Sequence, residues 1–547
     1  MTEPSGNGNA VLVVGAGPTG LVMAAELARR GVPCRIVDKR PARSLHSKAF
    51  GVHARTLELF DAMGIAEETI ARGVQVKGVN LYAGERRIAH MHLDKLESTY
   101  PFMFFLAQHE TEAVLETHLE RLGGRVERSV EALGFTQDEQ GVTTTLRHAD
   151  EHEEAVRTCW LIGCDGAHST VRHTLGLPFA GFPYEEEFLL ADVRLHWSYP
   201  AEETHMFFAP EGLWGVLPLG KGIFRLIATA PWEAEPPRGP TLAEIQALVE
   251  ARGPGNMVVS DPVWLARFRI HRRIVPTYHK GRVFLAGDAA HIHSPVGGQG
   301  MNMGIQDAYN LAWKLALVHT AAACADLLDS YDQERRPVGQ GVLWATDLLT
   351  RAFALHHPLA QWLRNTLLEL LFSQEFIQHQ MRRALAQINV NYRHSPIVGE
   401  SRGGARFSAG PAPGDRALDI ALLSAKDGVT TRIYELLRGP GHLLLLLGGL
   451  RSTPTNYRNL LALGHQVQNQ YGPHVAVYLV IPGKDPPTDL KEQPLVLLDP
   501  QLALHLAYGA QEGGLYLLRP DGYVGFRSRR MDGTDVSTYL SHFFSIG

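Results

Sequence analysis

The chain has 547 residues, 45% of them hydrophobic and 20% charged, an ordinary globular composition with apolar material for about two to four folding units. A formal net charge of -5 excludes the basic field that draws nucleic acid or an anionic membrane. No apolar run approaches the roughly 20 residues of a membrane span.

The first nine residues are polar and glycine-rich and lack the basic start and apolar stretch of a secretory signal, so a cytoplasmic location is expected. The four cysteines, Cys34, Cys159, Cys164 and Cys324, form no C-x-x-C pair and are too scattered for a disulfide framework.

The opening unit reads as strand, tight turn and helix. Apolar Ala10 to Val14 is followed by Gly15-Ala16-Gly17-Pro18-Thr19-Gly20, then a helical pattern to Arg30 and a second strand, Cys34 to Val37, that ends at Asp38. Gly15 permits the turn, Gly17 lets backbone approach a pyrophosphate, and Gly20 lets helix and strand pack closely. The pyrophosphate would rest on the helix N-terminus, where unpaired N–H groups favour negative charge. Asp38 suits both hydroxyls of an adenosine ribose, and its charge argues against a 2′-phosphate at this place. This motif alone does not separate NAD from FAD.

Gly78 to Phe102 and Phe182 to about Arg273 alternate apolar and polar residues, the mark of half-buried strands. Between them, Leu161 to Arg172 contains Cys164-Asp165-Gly166 and reads as a strand entering a turn and helix. Further on, Arg282 to Asn302 delivers Gly287-Asp288 at a strand end and then Gly298-Gln299-Gly300-Met301-Asn302 at a helix start, with apolar positions Ile305, Ala308, Leu311, Ala312 and Leu315. Ligands of open α/β sheets bind at such carboxyl ends, and the helix start aims N–H groups where negative charge is stabilised. His291 with His293 and His90 with His92 lack a cysteine or carboxylate at a recognised zinc spacing, so no metal is expected and His291 is read as packing within the Gly-Asp turn.

Leu327 to about Asn391 reads as helical, with a helix end near Pro337. Ser395 to Arg416 resembles a linker in its Gly, Ser, Arg and Pro content. Strands are expected at His442 to Leu447, His474 to Ile481 and Leu515 to Leu518, with a hairpin at Arg519 to Tyr523.

The three glycine and aspartate motifs, in this order and separation, resemble the class A flavoprotein monooxygenases, in the branch of phenol hydroxylase, hydroxyphenylpropionate hydroxylases, pentachlorophenol monooxygenase and aromatic polyketide hydroxylases. That resemblance implies an α/β and α+β fold: a Rossmann-like FAD-binding domain in three parts (1–77, 103–181 and 274–394, the last with a helical region), an interleaved antiparallel-sheet substrate domain (78–102 and 182–273), and a thioredoxin-like C-terminal domain (417–547) without C-x-x-C. FAD is then the cofactor, NADH or NADPH the transient co-substrate and O2 the oxidant. It also implies that Asp288 holds the ribityl chain and that Asp165 supports the pyrophosphate and a passing nicotinamide nucleotide. Gln108 would contact the ribityl chain or ring edge, and Arg43 and Arg55 the flavin or pyrophosphate. Lys39, Gly287, Pro295, Gly298, Gly300, Met301 and Asn302 complete the expected cofactor set.

The implied reaction hydroxylates a phenolic or polycyclic aromatic substrate through a flavin C4a-hydroperoxide, with FAD carrying the chemistry. Two alternatives stay open: the same oxidant turned to epoxidation, Baeyer–Villiger insertion or antibiotic inactivation, and a non-catalytic nucleotide-binding interaction protein. Where phenol hydroxylase has an aspartate before the Arg-Thr-Leu-Glu segment, this chain has Phe50. Any activating base must come from elsewhere, with His53 and Arg273 as candidates, or the substrate must ionise unaided; Pro295 is a further candidate for the catalytic position. Phe50, Trp214, Leu217 and Phe224 are the expected substrate walls. The expected partners are a small aromatic molecule and, as an open question, a second copy of the chain, but neither nucleic acid nor membrane.

Overall fold

The computed structural model describes residues 10–44, 47, 49–210, 212–231, 239–294, 297–353, 355, 357–401 and 407–545. Its first layer is a six-stranded sheet in the order His279–Lys280, Val283–Leu285, Trp160–Gly163, Val11–Val14, Cys34–Asp38 and Val126–Arg128. The last five strands run parallel. Val11–Val14 is buried throughout, as expected of a strand covered on both faces. The helices Pro18–Arg29 and Gly300–His319 lie against this sheet, and the latter buries Ile305, Ala308, Leu311, Ala312 and Leu315 as its sequence period requires.

The second layer is an eight-stranded sheet built around two 17-residue strands, Ala180–His196 and Val258–Ile274. The alternating segments form it, with one departure from an antiparallel sheet: Thr204–Ala209 pairs parallel to Gly78–Ala83, because the second of these strands enters from an earlier stretch of chain. One face packs under the helix Leu242–Arg252, which starts in a Thr241–Glu244 capping box. The other packs against Phe50, Val76 and Phe105.

A third sheet, of eight strands, fills the C-terminal region. Its central strand His442–Leu447, wholly buried, runs parallel to Val475–Pro482 and antiparallel to Gly514–Leu518. Among the described residues, no helix is long and apolar enough to cross a membrane.

The helix end expected at Pro337 is not there. Pro337 lies inside the 25-residue helix Asp329–Phe353. A proline removes one N–H from the ladder, and the carbonyl left without it belongs to Gln333, four residues back. Both residues are exposed, so that carbonyl lies where water can reach it, while the buried Tyr331, Glu334 and Arg335 fix the same turns from inside.

Candidate active site

Three strands that end side by side bring the three motifs together. Val14 pairs with Gly163, and Gly163 with Leu285, so the turns that follow them share one carboxyl edge. Gly15 takes φ +101°, and a Cβ there would meet the Cys164 carbonyl oxygen at 2.4 Å. A Cβ on Gly20 would lie 1.8 Å from the Gly15 oxygen. At Gly17, by contrast, a Cβ would meet nothing within 4 Å. Gly15 and Gly20 are therefore required by packing, whereas the space beside Gly17 is left open at the N-terminus of the helix whose first residue is Pro18.

The second and third motifs interlock in the same way. Thr19 fills the gap between Gly287 and Gly304, where an added Cβ would approach its Oγ1 to 2.7 and 2.2 Å. Arg172 donates to the Ala289 carbonyl at 3.1 Å and to the Ala167 carbonyl at 2.9 Å, stitching the Asp-Gly turn to the Gly-Asp turn. Asp307, fully buried, accepts from the Gly287 N–H (3.0 Å) and from Arg335 (2.7 Å), and lies 2.8 Å from His291 Nε2. Burial works against its charge, yet Arg335 and His291 hold the carboxyl below its ordinary pKa.

Asp38 accepts from the Ala16 N–H at 2.8 Å and from the backbone and guanidinium of Arg40. Burial raises its pKa, and these hydrogen bonds more than reverse the rise. Asp165 is the opposite case. Its Oδ2 accepts weakly from the Val171 N–H (3.2 Å), its Oδ1 is shielded from water without a partner, and burial raises its pKa. Asp288 is exposed in a short 3-10 turn whose flanking residues Gly287 and Ala289 are buried. An unsatisfied buried atom such as Asp165 Oδ1 asks for an explanation, and a ribityl hydroxyl or phosphate-side group at that edge would supply one. The residues present fit FAD.

The glycine loop ahead of Gly300–His319 is held from behind. Asn302 Oδ1 accepts from the His53 N–H (2.8 Å) and the Thr56 hydroxyl (2.7 Å), and its Nδ2 donates to the Gly51 and Gly298 carbonyls. The Asn302 side chain is thus spent on shaping the loop, which leaves backbone as its means of contact with a ligand. Met301 is buried beside it. His53, in contact with the Gly297–Gly298 backbone, is pushed down to about 4 by burial and has an unpartnered Nε2. Pro295 lies outside the described residues. Gln108 ties the 47–49 segment: its N–H donates to Ser47 Oγ and its Oε1 accepts from the Ala49 N–H. Arg43 borders a surface hollow of about 360 Å³ with Glu116, Glu120 and Arg128, while Lys39 is exposed and 3.9 Å from Glu131.

Arg55 is elsewhere. Its guanidinium is fully buried against Glu58 (3.0 Å), the Tyr434 hydroxyl (2.7 Å) and the Asp521 carbonyl (2.5 Å), facing the C-terminal region rather than the nucleotide. It lies on the helix Ala54–Met63, whose N-terminus meets the glycine loop and whose first turn reaches away from it.

The expected wall residues divide by strand parity. Trp214 and Phe224 point to the face under Leu242–Arg252, where Trp214 stacks on Phe207 and donates to the Arg252 carbonyl at 2.8 Å. They do not face the flavin side. Leu217 does, with Leu219, Ile227, Phe105 and Phe50. On that apolar face sits a cross-strand ion pair that sequence reasoning missed: Arg225 binds Asp192 through Nε (2.7 Å) and Nη2 (2.8 Å), lies 4.6 Å over the Phe50 ring, and keeps Nη1 buried without a partner. Its signal was present as single charges inside apolar alternation, Phe224-Arg225-Leu226 and Ala191-Asp192-Val193. Arg273, at the end of the same sheet beside Ile292, has a buried Nε without a partner. Among the described residues, no group of histidines, cysteines and carboxylates is arranged to hold a metal.

Fold and site together define a flavin-dependent oxygenase. The chain belongs to the family described as "FAD binding domain", whose model matches residues 9–346. It is 34% identical to 6-methylpretetramide 4-monooxygenase of Streptomyces rimosus, over 98% of this chain and 94% of that one. It is 33% identical to pentachlorophenol 4-monooxygenase of Sphingobium chlorophenolicum, over 95% and 94%. Among solved structures, anhydrotetracycline hydroxylase from Streptomyces rimosus superposes with a TM-score of 0.76 at 28% identity, covering 98% of each chain. The protein is an FAD-dependent monooxygenase.

Proposed function

We propose that this enzyme hydroxylates a phenolic or polycyclic aromatic substrate at the expense of NADH or NADPH. The observation that carries the reading is the apolar sheet face of Phe50, Phe105, Leu217 and Ile227, set against the loop at Gly298 and bearing one unsatisfied donor, Arg225 Nη1. When bound, FAD would supply the redox chemistry that couples reduced nicotinamide to oxygenation of an electron-rich ring carbon.

The chain's own residues provide the rest. The helix start at Pro18 and the open flank of Gly17 receive the pyrophosphate, Asp38 the adenosine ribose, and Asp165 and Asp288 the ribityl side. The backbone N–H groups at the start of Gly300–His319 favour negative charge at the flavin's pyrimidine edge. The apolar face excludes water from the reacting carbon. Phe50 offers no carboxylate to a phenol, so the phenolic oxygen is met by the Arg225 N–H. That donor stabilises the oxygen as it gains negative charge, without taking its proton. His53 at the Gly297–Gly298 loop, pushed down to about 4 by burial, would accept such a proton only weakly.

The test is product analysis of the FAD-loaded enzyme under 18O2 with a panel of phenols, naphthols and larger fused-ring phenols. One 18O atom in the ring per NAD(P)H consumed is expected with at least one of them. Hydrogen peroxide as the sole product across the panel counts against the proposal. Arg225→Lys, which keeps the Asp192 pair but removes the spare N–H, should lower kcat/KM about 10- to 100-fold, the weight of a hydrogen bond to a charged group, with FAD content unchanged.

A further inference from the structure

The helix Pro358–Phe372 is apolar on two sides, only one of which is covered. A surface helix normally turns its leucines inward. Here Leu368 and Phe372 do pack inward, together with Arg364, buried 4.5 Å over the Phe208 ring, and the Gln361 amide, which donates to the Pro210 carbonyl at 3.1 Å. The outward side carries Leu359, Trp362, Leu363, Leu367 and Leu370, each more than half exposed.

Three further observations say what covers this face. Leu359, Leu363, Thr366 and Leu370 recur at alternating steps of four and three residues, the spacing of a seam that meets a second helix rather than a flat surface. Of the two charges on the helix, Arg364 is turned inward and Glu369 pairs with Arg86 of the same chain at 2.9 Å. The exposed stripe therefore brings no like charges together when it meets itself, and it offers no lysine or arginine rim to an anionic bilayer. Finally, five such side chains reach the upper end of the ~300–600 Å² that a monomer's largest apolar patch covers. Doubled about a two-fold axis, the stripe attains the ~1,000 Å² a specific interface needs.

We propose that this helix is the dimer interface of the protein, pairing antiparallel with the same helix of a second copy. In that pairing Leu359 meets Leu370 of the other copy and Leu363 meets its Thr366, with Trp362 and Leu367 closing the flanks. Isologous contact of this kind closes on itself and ends at two subunits.

Sedimentation velocity of the full-length, FAD-loaded protein between low and tens of micromolar tests this. The wild type is expected to sediment as a dimer. Leu363→Glu with Leu370→Glu is expected to halve the sedimenting mass while flavin content and thermal midpoint stay unchanged. Should that variant fail to fold, Leu363→Cys with Thr366→Cys gives an independent reading: mild oxidation should yield a covalent dimer on a non-reducing gel that the wild type does not form. A wild type that remains monomeric throughout overturns the proposal, as does a dimer that survives both glutamates. Flotation of a monomeric wild type with phosphatidylcholine vesicles would assign the face to lipid instead.

Discussion

The nucleotide edge and the junction with the C-terminal region are both rich in buried polar groups, but they treat them in opposite ways. At the junction the carboxylates are answered. Glu334 accepts from Arg519, Lys314, Asn310 and Ser395, and Asp521 from Arg519, Trp313 and Asn310. Burial opposes the Glu334 charge, yet Arg519 and Lys314 hold its carboxyl well below the usual carboxylate range, while burial pushes the Lys314 ammonium down to about 8. At the nucleotide edge Asp165 Oδ1 and, beside the glycine loop, His53 Nε2 have no partner, and neither has Arg225 Nη1 on the facing sheet. The answered carboxylates hold the junction together even though Arg55 Nε, Gln306 Oε1 and the Tyr523 hydroxyl beside them are buried without a partner, whereas a carboxylate left incomplete, such as Asp165, is open to a ligand.

The sharpest way to break that contrast is to change one glycine of each kind. Gly20→Ala drives a methyl into the Gly15 carbonyl, and should abolish soluble, folded flavoprotein as read by circular dichroism and flavin absorbance. Gly17→Ala meets open space, so it should leave folding unchanged and weaken FAD retention, because the methyl occupies room that the pyrophosphate uses. Equal loss of folding in both would erase the distinction.

Arg519→Met probes the answered side. It leaves Glu334 and Asp521 without their shared guanidinium, and stability should fall by about 3–5 kcal/mol in denaturant titration. A change under ~1 kcal/mol would mean that the junction does not depend on its ions.

The smallest effect concerns the incomplete side and pH. His53 and His293 are both pushed down to about 4 by burial, so below the unfolded histidine value near 6.5 the unfolded chain binds more protons than the folded one. Stability is complete above that value and declines as pH falls toward 4, by up to ~3 kcal/mol per histidine. His53→Asn should flatten that slope without moving the neutral-pH plateau, as followed by unfolding midpoints from pH 7 to 4.5.

Much of the site could be read from residue order, because glycine turns and strand-end aspartates are local signals. Gly15, Asp165 and Asp288 needed only short flanking strands to be placed at one shared carboxyl edge of the sheet. Asp307 and Arg172 were not legible, since their partners are backbone groups of a turn in a distant motif. Trp214, Phe224 and Leu217 show a different limit. Period-two alternation separates two faces of a strand but does not say which one meets the flavin when both are apolar, one under a helix and the other lining the site. Pro337 misled for a related reason: a helix breaker is tolerated where the orphaned carbonyl reaches water, and exposure is a tertiary fact. Arg55 looked like part of a basic phosphate loop, yet its partners Tyr434 and Asp521 lie near the far end of the chain.

The wedge of Thr19 between Gly287 and Gly304 bears on how the molecule is made. Nearby, Arg29 on the same helix reaches the Tyr309 hydroxyl across 280 residues of sequence. A ribosome adding ~5–20 residues per second needs roughly 15–60 s to cover that interval. For that time the βαβ segment that carries Thr19 has no Gly-Asp turn to close upon, so it waits, once synthesised, for a distant stretch of chain before its shape can be finished.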